Sequence, residues 1–116
     1  MVLTSSTHNT IHILKLNGRF DAYEVPKVAA WLNEQIAADN LRIIMNLAGV
    51  SFIDSTGLST LVQAMKRARL KNGDCRLCGL QQPIRILFEL IRLDKAFQIF
   101  SDEALAERSY ALEPVI

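Results

Sequence analysis

The stretch that most constrains this chain lies between Leu41 and Ala68. Leu41-Arg42-Ile43-Ile44-Met45-Asn46-Leu47 is an apolar run of strand length, rich in branched side chains. Its near-continuous hydrophobicity predicts burial on both faces of a sheet. Further on, Leu58, Leu61, Val62, Met65 and Ala68 fall at helical spacing. The segment between, residues 49–58, reads as a loop that ends in Asp54-Ser55-Thr56-Gly57. Those residues sit where a helix leaves its first backbone N–H groups without partners.

The rest of the chain, which has no internal repeat, alternates strands and helices after its first strands. Residues 1–10 read either as an edge strand or as a frayed end. Residues 11–17 alternate apolar and polar side chains, a half-buried strand that Gly18 is expected to end. A helix follows over about 24–38, with Pro26 near its start and Val25, Val28, Ala29, Leu32 and Ile36 on one face. Trp31 stands off that stripe and reads as packing at its border. After the helix over about 56–71, Asn72-Gly73-Asp74 is a stop and turn signal. A strand over 75–80 precedes a helix opened by Gln81-Gln82-Pro83, with Ile84, Leu87, Phe88 and Ile91 on one face. Leu93–Ala96 reads as a connection and Phe97–Phe100 as a short strand. Ser101 reads as the cap of a last helix over 102–110 that packs through Ala104, Leu105 and Tyr110, and Pro114 marks a loose tail over 111–116. Alternating strands and helices predict one α/β domain over residues 1–116, with parallel strands wherever a helix crosses over.

Composition narrows the function. The 116 residues are half hydrophobic and carry a formal charge of +1, with acids and bases interspersed. A nucleic-acid footprint needs a concentrated basic face. The basic cluster at 66–71 falls at a helix end, where cations complement the helix dipole. No direct nucleic-acid contact is expected. No apolar run reaches the roughly 18 residues of a membrane span, and no secretory signal opens the chain, so a cytoplasmic protein is expected. Cys75 and Cys78 look like a CxxC pair, but in a strand side chains three apart point to opposite faces, which forbids a shared metal or disulfide. His8 and His12 lack a cysteine or carboxylate at metal spacing and read as surface histidines, with no metal site.

Three readings compete for the Asp54-Ser55-Thr56-Gly57 segment. Any of its polar residues can cap a helix, yet capping needs only one of them. A nucleophilic serine would call for a Gly-x-Ser-x-Gly elbow and a nearby base, and the histidines lie near the N-terminus. Glycine-rich phosphate loops are absent as well. No catalytic constellation emerges, so the chain is not expected to be an enzyme. The third reading is a regulated binding surface. A hydroxyl at a helix N-terminus is a favourable place to add a phosphate, and the added charge, beside Asp54, would disrupt docking.

Residues 43–58, Ile-Ile-Met-Asn-Leu-Ala-Gly-Val-Ser-Phe-Ile-Asp-Ser-Thr-Gly-Leu, closely resemble the core of the STAS domain of bacterial anti-sigma-factor antagonists. The resemblance extends to Leu16-Asn17-Gly18-Arg19-Phe20-Asp21 and to Leu90–Phe97, covering about residues 11–105. It implies a mixed sheet of four to five strands with helices packed mainly on one side. It implies that Ser55 is the phosphoacceptor of an anti-sigma factor that is also a serine kinase of the GHKL type. The unphosphorylated form would bind that kinase, and a phosphatase would restore it. Asp54, Thr56, Gly57 and Leu58 would shape the phosphoacceptor loop, and Asp21 would lie beside it and contact the partner. The chain would need no cofactor, since ATP and magnesium would be bound by the kinase. Ser59-Thr60 depart from the Gly or Ala that many antagonists carry after the motif leucine. The alternative implied function is a STAS subunit that is never phosphorylated and scaffolds a transport or signalling complex.

Overall fold

The computed structural model describes residues 1–113. Its elements are β1 (Val2–His8), β2 (Ile11–Phe20), α1 (Val25–Ala37), β3 (Arg42–Ile53), α2 (Ser55–Leu70), β4 (Asp74–Cys78), α3 (Gln82–Leu90), α4 (Leu93–Ala96), β5 (Ile99–Phe100) and α5 (Glu103–Ala111). The five strands lie in chain order, β1-β2-β3-β4-β5. β1 pairs antiparallel with β2, and the other neighbours are parallel.

That order dictates where the helices go. Each parallel step moves one strand in the same direction, and right-handed crossovers then put every connecting helix on the same face. Val28, Leu32 and Ile36 of α1, Leu61, Ala64 and Met65 of α2, and Ile84 and Phe88 of α3 share one core with Leu14, Leu16, Ile43, Met45, Leu47, Cys75 and Leu77 of the sheet. Among the described residues α5, which follows β5, is the helix that covers the other face. There Ala106 and Tyr110 pack on Ile11, Ile13, Ile44 and Cys78. The sheet is therefore buried from both sides, in keeping with the near-continuous apolar run in β3.

Strand alternation separates the two cysteines as expected: Cys75 faces the larger core and Cys78 the α5 side. Burial raises both thiols, Cys78 to about 12, so neither is a ready thiolate. On the α5 side, the Tyr110 hydroxyl meets the carbonyl oxygens of Ile43 and Asp74, each at 2.8 Å. The buried Arg76 guanidinium lies 4.0 Å over the Tyr110 ring and donates to Asp74 at 3.1 Å and to Ser109 at 2.8 Å.

Several sequence expectations change. Residues 1–10 contain an edge strand, which settles that alternative. Gly18 does not end β2: it takes a φ of 128°, open to a residue without Cβ, and the strand continues to Phe20. Register shifts at Lys15/Asn17 and Gly18/Arg19 absorb the irregularity. The segment read as a loop from residue 49 is strand as far as Ile53, because Gly18, Arg19 and Phe20 supply pairing partners for Val50, Phe52 and Ile53. Leu93–Ala96 is a short helix rather than a bare connection. Asp102, not Ser101, caps α5, its carboxylate accepting from the Leu105 N–H at 2.9 Å. Ala104 and Leu105 are exposed, and Ala106 takes the core place expected of them. Ala111 belongs to α5, and the tail around Pro114 lies outside the described residues.

Candidate functional site

The site forms where β2 and β3 both end and α1 and α2 both begin. β3 delivers Ile53 into the core and Asp54 to its end. The Asp54 N–H donates to the Phe20 carbonyl at 3.2 Å, so the two strand ends are tied at the point where each turns into a helix.

Asp54 is the N-cap of α2. Its Oδ1 accepts from the Gly57 N–H at 3.0 Å and from the Thr56 hydroxyl at 2.6 Å. Its Oδ2 accepts from the Ala22 N–H at 2.9 Å, across the gap to the β2–α1 turn. The hydroxyl of Thr56, then the Gly57 N–H, hold this carboxyl below the usual carboxylate value. One anionic group thus caps α2 and stitches the two turns together.

Because Asp54 does the capping, Ser55 is released from that task. It stands as the first residue of α2, exposed to solvent. Thr56 is also exposed, but its hydroxyl is committed to Asp54. Gly57 is buried: a Cβ there would stand 2.8 Å from the Phe20 carbonyl oxygen, so the close approach of α2 to β2 requires glycine. Leu58 is half-buried and packs on the core. Asp54, Ser55 and Thr56 therefore form the accessible surface, with Gly57 and Leu58 beneath as its support.

Asp21 lies in the adjoining turn. Its carboxylate accepts from the Tyr23 N–H at 3.1 Å, while its carbonyl accepts from the Glu24 and Val25 N–H groups that open α1. The turn that carries Asp21 is joined to Asp54 through Ala22. Sequence reasoning missed the neighbours that complete this surface. Arg19 lies 4.1 Å over the Phe52 ring and 4.0 Å from Asp21, and Tyr23 is 86% exposed. Arg19 and Phe52 are direct register partners, a pairing visible only once the two strands are aligned. Ser59 and Thr60 are tied into their own helix, Ser59 accepting from Gln63 and Thr60 donating to the Thr56 carbonyl.

Residues 3–106 match the family model of the STAS domain. The anti-sigma-B factor antagonist of Listeria monocytogenes is 34% identical over 92 residues, spanning 78% of this chain and 81% of that protein. Among solved structures, an anti-sigma factor antagonist from Mycobacterium paratuberculosis superposes with a TM-score of 0.85 at 18% identity, covering 93% of this chain and 92% of the other. The Bacillus cell fate determinant SpoIIAA in its phosphorylated form superposes with a TM-score of 0.74 at 20% identity, covering 93% and 99%. With the five-stranded mixed sheet and the Asp-Ser-Thr-Gly junction, these likenesses make the chain a member of the STAS-domain family of anti-sigma-factor antagonists.

Proposed function

We propose that the chain works as a partner-switching antagonist whose ionic state at Ser55 decides whether it binds an anti-sigma factor. In this reading the anti-sigma factor is a serine kinase of the GHKL type that brings its own ATP and magnesium. It binds the bare form, phosphorylates Ser55 and releases the product, and a phosphatase resets the cycle. The chain itself supplies a shaped surface and a hydroxyl, and no catalytic group.

The observation that carries the reading is the division of labour at the start of α2. Asp54 caps the helix and leaves the Ser55 side chain exposed. A phosphate adds about −1.5 to −2 charge units at pH 7. Asp54 already occupies the Gly57 N–H, so a phosphate on Ser55 cannot take that donor without displacing the cap. The new charge stays at the surface, next to a carboxylate. A partner seated there would have to desolvate both, and each ~1.4 kcal/mol of that cost weakens the complex tenfold.

Incubation with a cognate kinase, ATP and magnesium, followed by phosphosite mapping, tests the assignment. Label on Ser55 that disappears in Ser55→Ala is the expected result. Label retained in Ser55→Ala moves the acceptor elsewhere. No label, with a stable complex that Ser55→Asp leaves intact, favours a scaffold subunit instead.

A further inference from the structure

The face of the sheet away from α2 carries a cluster that sequence spacing hides. His8 is the last residue of β1, while Glu103 and Glu107 stand one turn apart on α5, 95 or more positions away. One ligating atom from each of the three residues lies within 4.8 Å of the other two. His8 Nδ1 is 2.5 Å from Glu107 Oε1. Glu103 Oε2 accepts from the Asn46 side-chain amide at 2.7 Å. Asn46 is a buried polar residue of β3, only 8% exposed, and its Oδ1 is fixed by the Ala48 N–H at 3.0 Å.

We propose that His8, Glu103 and Glu107 form a binding site for a divalent cation of the zinc class, with water completing the shell. One imidazole nitrogen and two carboxylate oxygens are ordinary zinc donors, each held at about 2.0–2.2 Å from the ion. Tetrahedral placement at that radius separates ligand atoms by roughly 3.4 Å. The separations here range from 2.5 Å to no more than 4.8 Å, on either side of that value. Turning side chains that are partly in solvent, His8 at 52% and Glu107 at 27%, closes the difference. Asn46 acts as the outer partner that fixes the Glu103 carboxylate, as metal sites commonly require. The pair Glu103 and Glu107, at i and i+4, repels when bare, and a cation would turn that repulsion into attraction. An imidazole donor disfavours magnesium, which prefers oxygen and its own water. Such an ion would clamp the end of the edge strand to α5 on the face opposite Ser55.

Calorimetric titration of zinc chloride into the full chain at pH 7.5, with magnesium chloride in parallel, tests this. The expected result is one saturable zinc site, no comparable magnesium site, and a higher melting temperature with zinc. His8→Gln and Glu107→Gln should each weaken zinc binding at least tenfold, and His12→Gln should leave it unchanged. Glu107→Gln also breaks the contact with His8, so Glu103→Gln, which spares that contact, is measured beside it and should weaken binding as well. Absence of saturable zinc binding, or binding that survives both His8→Gln and Glu103→Gln, would reduce the cluster to an ion pair between His8 and Glu107.

Discussion

Asp54 caps α2 and leaves the neighbouring Ser55 free of that task. It accepts from Ala22, Thr56 and Gly57 at once, and so joins the start of α1 to the start of α2. These contacts lower its pKa from an ordinary 3.8, the Thr56 hydroxyl contributing most. A carboxyl depressed on folding contributes stability that is present above its unfolded pKa and lost as pH falls through the folded one. The window is therefore below about pH 4. Asparagine can cap a helix but carries no charge. Asp54→Asn should thus be less stable than the parent at pH 7, and the gap should narrow as pH drops below 4. Denaturant midpoints at pH 7 and pH 3 measure this, and a gap independent of pH would show that the charge contributes nothing.

At the scale of elements, the parts held by local periodicity were readable and those held by pairing were not. α1, α2, α3, β4 and most of the core stripes follow from spacing within a dozen residues, but Ile91, expected on the apolar face of α3, is its exposed C-cap, because the helix stops at Leu90. The extension of β3 to Ile53 depends on Arg19 and Phe20 lying beside Phe52 and Ile53, more than thirty positions away. Gly49 and Gly18 look like breakers because their tolerance of close approach and of positive φ cannot be seen without the neighbouring strand. The same limit hid the Ala22–Asp54 bond and the Arg19–Phe52 stack, while the residues Asp54 to Gly57 themselves stood out in sequence. α5 is a further case. Of the three packing residues that spacing suggests, Ala104, Leu105 and Tyr110, only Tyr110 is buried, and its hydroxyl, which spacing does not place, anchors the helix to carbonyls of β3 and β4. Removing a buried hydroxyl leaves those acceptors short of a donor, which costs about 1–3 kcal/mol. Tyr110→Phe should lower the unfolding free energy by that amount in a urea titration, with a native-like spectrum retained. A change below about 0.5 kcal/mol would mean that the two hydroxyl contacts do not hold α5.

The molecule as a whole separates its two faces. One buries α1, α2 and α3 against the sheet, and the other carries α5. The accessible part of the Ser55 junction is a thin surface on this packed support, where Gly57 and Ile53 are buried directly beneath. A charge added at Ser55 has no need to move the fold. In the proposed switch it would act on a partner docked there, through desolvation and repulsion. No helix among the described residues is long and apolar enough to cross a membrane.

The most direct measurement is the affinity of the proposed kinase-type partner for the chain with Ser55 bare and with Ser55 phosphorylated, by calorimetry with both forms checked by circular dichroism. The account predicts matching spectra and a dissociation constant at least tenfold larger for the phosphorylated form. Equal affinities for the two forms would contradict it.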